Sequence, residues 1–135
     1  LYYDEFAPLA SRHKGITIVP FIADMNTAYA AADLVVSRAG AGTISELQLL
    51  GKPVVLIPSP NVAEDHQRKN ALALVGKDAA VMIEDCDARS SLAATVVKLA
   101  DDDSRLATLA GNIRAMAMEN SDEKIVDRIL SLARR

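Results

Sequence analysis

The sequence predicts a doubly wound α/β domain on a parallel sheet, followed by a helical tail. Within about residues 1–84, short β-rich runs alternate with helical patterns. Two of those runs, Leu34-Val35-Val36 and Val54-Val55-Leu56-Ile57, show no polar alternation, as expected for strands buried on both faces of a parallel sheet. From about residue 88 to 135 only helical periodicity remains. A β-α-β-α order of this kind places ligands at the carboxyl ends of the strands.

The first predicted strand is Gly15-Ile16-Thr17-Ile18-Val19-Pro20. Asp24 is placed to N-cap a helix running through Tyr29 to Ala32, and the 34–36 strand follows. A helix beginning at Thr43 stops at Gly51, with Pro53 just beyond, before the 54–57 strand. A third helix covers about Asp65 to Val75 and ends at Gly76, and Ala80-Val81-Met82-Ile83 is the last strand. In the tail, Leu92, Val96 and Leu99 repeat at helical spacing, as do Leu106, Leu109, Ile113 and Met116. The final helix starts after Ser121 and carries Ile125, Ile129 and Leu132 on one face. Its acidic start, Asp122 and Glu123, and its basic end, Arg134 and Arg135, match the helix dipole.

Composition narrows the function classes. The 135 residues are 50% hydrophobic, enough for one domain with a core. A net charge of −3 argues against a nucleic-acid surface, which would normally be basic. No apolar run approaches the roughly 20 residues that span a bilayer, and no signal peptide is legible. Cys86 is the single cysteine, so neither an intrachain disulfide nor a cysteine metal cluster can form, and it reads as a bystander in a reducing compartment. The chain begins at Leu1 and reads as part of a longer protein.

Three polar stretches carry candidate chemistry. Gly40-Ala41-Gly42 joins a strand to a helix, the context in which backbone N–H groups and the helix dipole bind phosphate. A tight βα turn without a ligand would show the same residues. The turn nearly matches the dinucleotide fingerprint, but Ser45 stands where the third glycine belongs. The following strand runs into Pro58-Ser59-Pro60, with no acidic residue to hold a ribose, which disfavours NAD. Glu46 has two explanations. Thr43-Ile44-Ser45-Glu46 reads as a capping box, while a carboxylate one turn beyond a phosphate loop could instead accept bonds from ribose hydroxyls. In the 60–71 patch, His66, Gln67 and Asn70 fall at i,i+3 and i,i+4 spacing and can share one helix face. That face suits either sugar hydroxyls or plain solvation. His66 lacks a partner at zinc spacing. The Asp85-Cys86-Asp87 and Asp101-Asp102-Asp103 runs mimic a metal-binding DxD, but each stands where a helix starts and reads as N-cap chemistry. No nucleophile–base pair is legible, so no catalytic residue is assigned to this chain.

Taken together, TIVPFIADMNTAYAAADLVVSRAGAGTISELQLLGKPVVLIPSP and EDHQRKNAL resemble the C-terminal, donor-binding domain of the bacterial N-acetylglucosaminyltransferases of peptidoglycan synthesis. The resemblance is close over about Tyr2 to Ala80 and general over the helical tail. It implies a GT-B fold, in which the nucleotide sugar is held mainly by the C-terminal of two Rossmann-like domains. Residues 1–135 would then be an incomplete UDP-sugar-binding domain lacking its first strand and its glycine-rich loop. The implied activity is inverting transfer of GlcNAc from UDP-GlcNAc to undecaprenyl-diphospho-muramoylpentapeptide, turning lipid I into lipid II. By the same resemblance, Ile22 would meet uracil through its backbone and Glu46 would bind the ribose hydroxyls. Gly40, Ala41, Gly42 and Thr43 would form the diphosphate turn, with Arg38 bordering it, and Gln67 and Asn70 would bind GlcNAc hydroxyls with His66 alongside. It implies neither a metal nor another cofactor. The lipid-linked acceptor and the cytoplasmic face of the inner membrane would be met by an N-terminal domain, which also holds the catalytic base, leaving this chain inactive alone. A 2-epimerase or another lipid-directed glycosyltransferase of the same fold, and a non-catalytic nucleotide-binding module, are the competing readings.

Overall fold

The computed structural model describes residues 3–10, 12–62 and 65–133. The chain forms two compact units, Leu1–Ala31 and Ala32–Arg135.

The first unit holds α1 (Tyr3–Ala10) and α2 (Met25–Ala31). Asp24 caps α2 as its sequence position predicts, its carboxylate accepting from the Thr27 N–H at 3.1 Å and the Thr27 hydroxyl at 2.6 Å. Those bonds favour the charged form and hold Asp24 below its usual carboxylate value, the Thr27 hydroxyl contributing most. The predicted strand at residues 15–20 does not form. A strand exists only through its ladder, and the described residues supply no hydrogen-bonded neighbour for this segment. Ile16 donates instead to the His13 carbonyl in a turn, and Ile16 and Val19 remain exposed.

The second unit contains the sheet. β1 (Val35–Ser37), β2 (Val54–Leu56) and β3 (Val81–Met82) are parallel in the order β1-β2-β3, with Val35 opposite Val54 and Val55 opposite Val81. β2 is the central strand, and Val54, Val55 and Leu56 are all fully buried. Each such side chain contributes about 1.5–3 kcal/mol by leaving water. The strand pleat sends Val55 and Ile57 into a cluster with Ile83, Leu99 and Leu109, while Val54 and Leu56 alternate to the opposite face.

The helices follow the sequence pattern closely. α3 (Ala41–Leu50) buries Ile44 and Leu47, and α4 (His66–Val75) buries Ala71 and Leu74. α5 (Asp85–Ala100) and α6 (Asp103–Ala115) complete the cluster through Leu99 and Leu109, with Leu92 and Leu106 packed against it. Asp102 caps α6 by accepting the Arg105 N–H at 2.9 Å, as expected for the 101–103 run, whereas Asp85 and Asp87 lie in the first turn of α5 behind the N-cap Glu84. Asp78 accepts two bonds from the Arg105 guanidinium at 2.8 and 2.6 Å, tying the loop before β3 to α6 and lowering the Asp78 carboxyl value. α7 (Ser121–Ala133) buries none of its residues, and Ile125, Ile129 and Leu132 share an exposed face. Arg134 and Arg135, expected at its end, lie outside the described residues.

α3 ends where the sequence predicts. Gly51 adopts the left-handed conformation at φ 62° and returns its N–H to the carbonyls of Gln48 and Leu47. A Cβ at this position would stand 3.3 Å from Arg114 Cβ and 3.5 Å from the Ala110 carbonyl, so α6 packs directly over the turn. Gly51→Ala therefore combines backbone strain with crowding. It should destabilise the protein by about 1–3 kcal/mol in denaturant unfolding. An unchanged unfolding midpoint would show that the α3–α6 contact does not constrain this turn.

Candidate functional site at the carboxyl edge of the sheet

Because the three strands are parallel, their carboxyl ends lie along one edge, where the loops into α3, α4 and α5 begin. Every candidate site residue of the second unit lies on these loops or on the first two turns of the helices they lead into.

The β1–α3 loop is the shortest. Buried Ala39 is followed by Gly40, which is extended at φ −69° and ψ 143° and forms the N-cap of α3. The helix starts at Ala41, with Ile44 N–H donating to the Gly40 carbonyl at 3.0 Å. Thr43 is thus the third helical residue and not the cap, which corrects the predicted start. Glycine is an acceptable N-cap, and nothing in Ala41 or Gly42 opposes helical dihedrals. The capping box predicted for Thr43 and Glu46 is absent, because Glu46 is the sixth residue of the helix.

Gly40 has no side chain with which to cap α3, so the first-turn N–H groups of Ala41, Gly42 and Thr43 take no bond from the N-cap residue. A Cβ built on Gly42 meets nothing within 4 Å. Glu46 is exposed and lies one turn beyond Gly42 on the same helix face, opposite buried Ile44 and Leu47. Helical side chains lean toward the helix N-terminus, which directs Glu46 back over the first turn. The arrangement offers an anion a set of backbone donors and places a carboxylate acceptor beside it.

α4 supplies the second group. Asn70 is half-buried and its Nδ2 donates to the Ala39 carbonyl at 3.1 Å, across to the β1–α3 loop. Gln67, one turn earlier, accepts the Ser59 N–H on its Oε1 at 2.9 Å. Both amides are therefore oriented by the backbone, leaving Gln67 Nε2 as a donor and Asn70 Oδ1 as an acceptor for other partners. His66 is exposed at the first position of α4. Ala63 and Glu64, just before it, lie outside the described residues.

Arg38 does more than border the turn. Its Nη1 donates to the carbonyls of Ile57 at 3.2 Å and Pro58 at 3.3 Å, and the same nitrogen pairs with the Asp85 carboxylate. One guanidinium thus joins the end of β1, the end of β2 and the start of α5. Arg68 pairs with Glu84 at 2.8 Å, and that bond raises the guanidinium above its ordinary value. The Arg68–Glu84 pair and Asp85 line a cleft of about 300 Å³ together with Pro58, Ser59, Pro60, Asp65 and Cys86. Sequence reasoning missed both acidic partners, since neither Glu84 nor Asp85 lies near Arg38 or Arg68 in the chain. Ile22 belongs to the first unit, where it and Phe21 are exposed on a cleft formed by residues 17–22 and Met25.

Fold and site define a class: a doubly wound α/β domain with an uncapped helix start and hydrogen-bonding amides on its carboxyl edge. The chain belongs to the family described as glycosyltransferase family 28 C-terminal domain, whose profile matches residues 3–129. It is similar to two proteins named UDP-N-acetylglucosamine–N-acetylmuramyl-(pentapeptide) pyrophosphoryl-undecaprenol N-acetylglucosamine transferase. The one from Parabacteroides distasonis is 56% identical over 97% of this chain and 36% of the relative. The one from Bacteroides thetaiotaomicron is 53% identical over 92% of this chain and 33% of the relative. The chain thus spans about a third of the length of the curated relatives it matches. Among solved structures it resembles a crystal structure of MurG from Acinetobacter baumannii, with TM-score 0.86 and 28% identity over 96% of this chain and 40% of that one.

The open space at Gly42 separates the needs of the fold from those of a ligand. Gly42→Ala should unfold no more easily than the parent, because alanine is the better helix former by about 1 kcal/mol and its Cβ meets no neighbour. A loss of stability in thermal unfolding would mean that the fold itself demands glycine here.

Proposed function

We propose that this chain is the donor-binding part of a longer inverting glycosyltransferase that moves GlcNAc from UDP-GlcNAc to undecaprenyl-diphospho-muramoylpentapeptide. The observation that carries the reading is the uncapped start of α3, open above Gly42, with Glu46 on the same face one turn along. The high identity to relatives named as GlcNAc transferases supports it. In this reading the N–H groups of Ala41, Gly42 and Thr43 take the diphosphate at the turn that Gly40 opens, and Glu46 accepts from the ribose hydroxyls. Gln67 and Asn70 meet the sugar, with His66 alongside, and the Ile22 backbone serves the uracil. Residues 1–135 act as the UDP-sugar-binding domain, with α5, α6 and α7 as its helical tail.

The chemical contribution follows from the charge that moves. When the anomeric bond breaks, the leaving UDP gathers negative charge on its β-phosphate. Preorganised backbone donors at a helix N-terminus stabilise that charge more than they stabilise the intact donor. Arg38 is engaged with Asp85 and two carbonyls, so its part is to hold the strand ends together. The base that activates the acceptor, the lipid-linked acceptor site and the contact with the cytoplasmic face of the membrane belong to the rest of the protein. Among the described residues no helix is long and apolar enough to cross a membrane.

Nucleotide preference tests the reading. The full-length protein carrying this chain should bind UDP-GlcNAc and UDP in calorimetric titrations and should not bind NAD. Comparable NAD binding would remove the glycosyltransferase reading. A second measurement isolates Glu46. With the capping box gone, Glu46→Gln exchanges a charged acceptor for a neutral amide without loss of a cap. Bonds to charged groups contribute about 1.5–3 kcal/mol against 0.5–1.5 for neutral ones. UDP-GlcNAc affinity should therefore fall by roughly 1 kcal/mol, several-fold in Kd, in a variant that stays folded. Intact affinity would leave the ribose without this partner.

A further inference from the structure

The reading above gives Asn70 to the sugar, yet in the structure its Nδ2 is already spent on the Ala39 carbonyl, 31 residues back in the chain. Ala39 is fully buried and immediately precedes Gly40, the N-cap of α3. The carbonyl that Asn70 holds is therefore part of the peptide unit leading into the diphosphate turn. Gln67 makes the corresponding bond to the other loop, at Ser59, with the opposite polarity.

We infer that Asn70 is a positioning residue for the diphosphate turn as well as a neighbour of the sugar. The inference rests on the donor-site reading proposed above. The β1–α3 loop has no side-chain cap of its own at Gly40, and Gly40 and Gly42 leave the backbone permissive. An external tie is what fixes the direction of the first-turn N–H groups. Asn70 provides it from α4, whose Ala71 and Leu74 are anchored in the core. Sugar and diphosphate recognition are thereby coupled through one side chain, with its Nδ2 on the turn and its Oδ1 left for a hydroxyl.

The two roles differ in what they do to UDP, which has no sugar. A side chain that only touches GlcNAc leaves UDP binding unchanged when it is removed. A side chain that fixes the turn weakens UDP and UDP-GlcNAc together. The test uses the full-length protein, with calorimetric titration of both ligands. Asn70→Ala should weaken UDP by about 2–10-fold, the span expected for one neutral hydrogen bond. Asn70→Asp should weaken it further, because a carboxylate oxygen then faces the Ala39 carbonyl. Gln67→Glu is the comparison, since it keeps an acceptor for the Ser59 N–H and replaces the outward donor by a charged oxygen facing the sugar, so UDP-GlcNAc should weaken more than UDP. Wild-type UDP affinity in a folded Asn70→Ala would overturn the inference and leave Asn70 to the sugar alone. Amide exchange without ligand tests the tie independently of the donor reading. The Ile44 N–H, bonded to the Gly40 carbonyl, should exchange faster in Asn70→Ala, and an unchanged rate would overturn the proposed tie. Failure of the unaltered protein to bind UDP would instead sink the donor-site reading, whatever the exchange rates show.

Discussion

The complete burial of β2 is the constraint on which the rest of the second unit depends. Val54, Val55 and Leu56 present no surface to water, so β2 must be paired on both edges and covered on both faces. Parallel pairing with β1 and β3 satisfies its backbone, and parallel strands necessarily bring their carboxyl ends to one edge. The site is a consequence. Residues separated by dozens of positions meet because the three loops leave the same side of the sheet.

Hydrophobic burial decides where the loops start, but it does not hold them in shape. That falls to a small set of polar ties. Asn70 holds the β1–α3 loop at Ala39, Gln67 holds the β2–α4 loop at Ser59, and Arg38 joins β1, the end of β2 and the start of α5. Several of these bonds end on main-chain carbonyls or N–H groups, so they survive changes of loop side chains. The Arg38–Asp85 pair is partly exposed, and by itself such a pair contributes little to stability. Its bonds to the Ile57 and Pro58 carbonyls are part-buried, and they give it a structural role.

Some apolar side chains among the described residues stay exposed. Segment 16–22 of the first unit carries exposed Ile16, Val19, Phe21 and Ile22, and α7 carries exposed Ile125, Ile129 and Leu132. Both were legible as β-rich or amphipathic pattern. A pattern states which residues favour burial and leaves open what buries them. The 15–20 run has strand composition without a ladder, which is why that expectation failed while the strands around residues 35, 55 and 81 formed.

The sequence by itself determined the alternation of buried strands and amphipathic helices, because those depend on local apolar periodicity. It determined the stop of α3 at Gly51 and the caps at Asp24 and Asp102, because they depend on one residue and its immediate neighbours. It also brought the glycine turn, Glu46 and the Gln67–Asn70 face into view as polar exceptions to the pattern. The tertiary structure alone decided that α3 begins two residues before Thr43, which separates Glu46 from any cap. It alone paired Arg38 with Asp85, Arg68 with Glu84 and Asn70 with the Ala39 carbonyl. Those partners lie 47, 16 and 31 residues apart. Hydrogen bonds act over about 3 Å and carry no sequence period, so only the folding of parallel strands to a common edge reveals them.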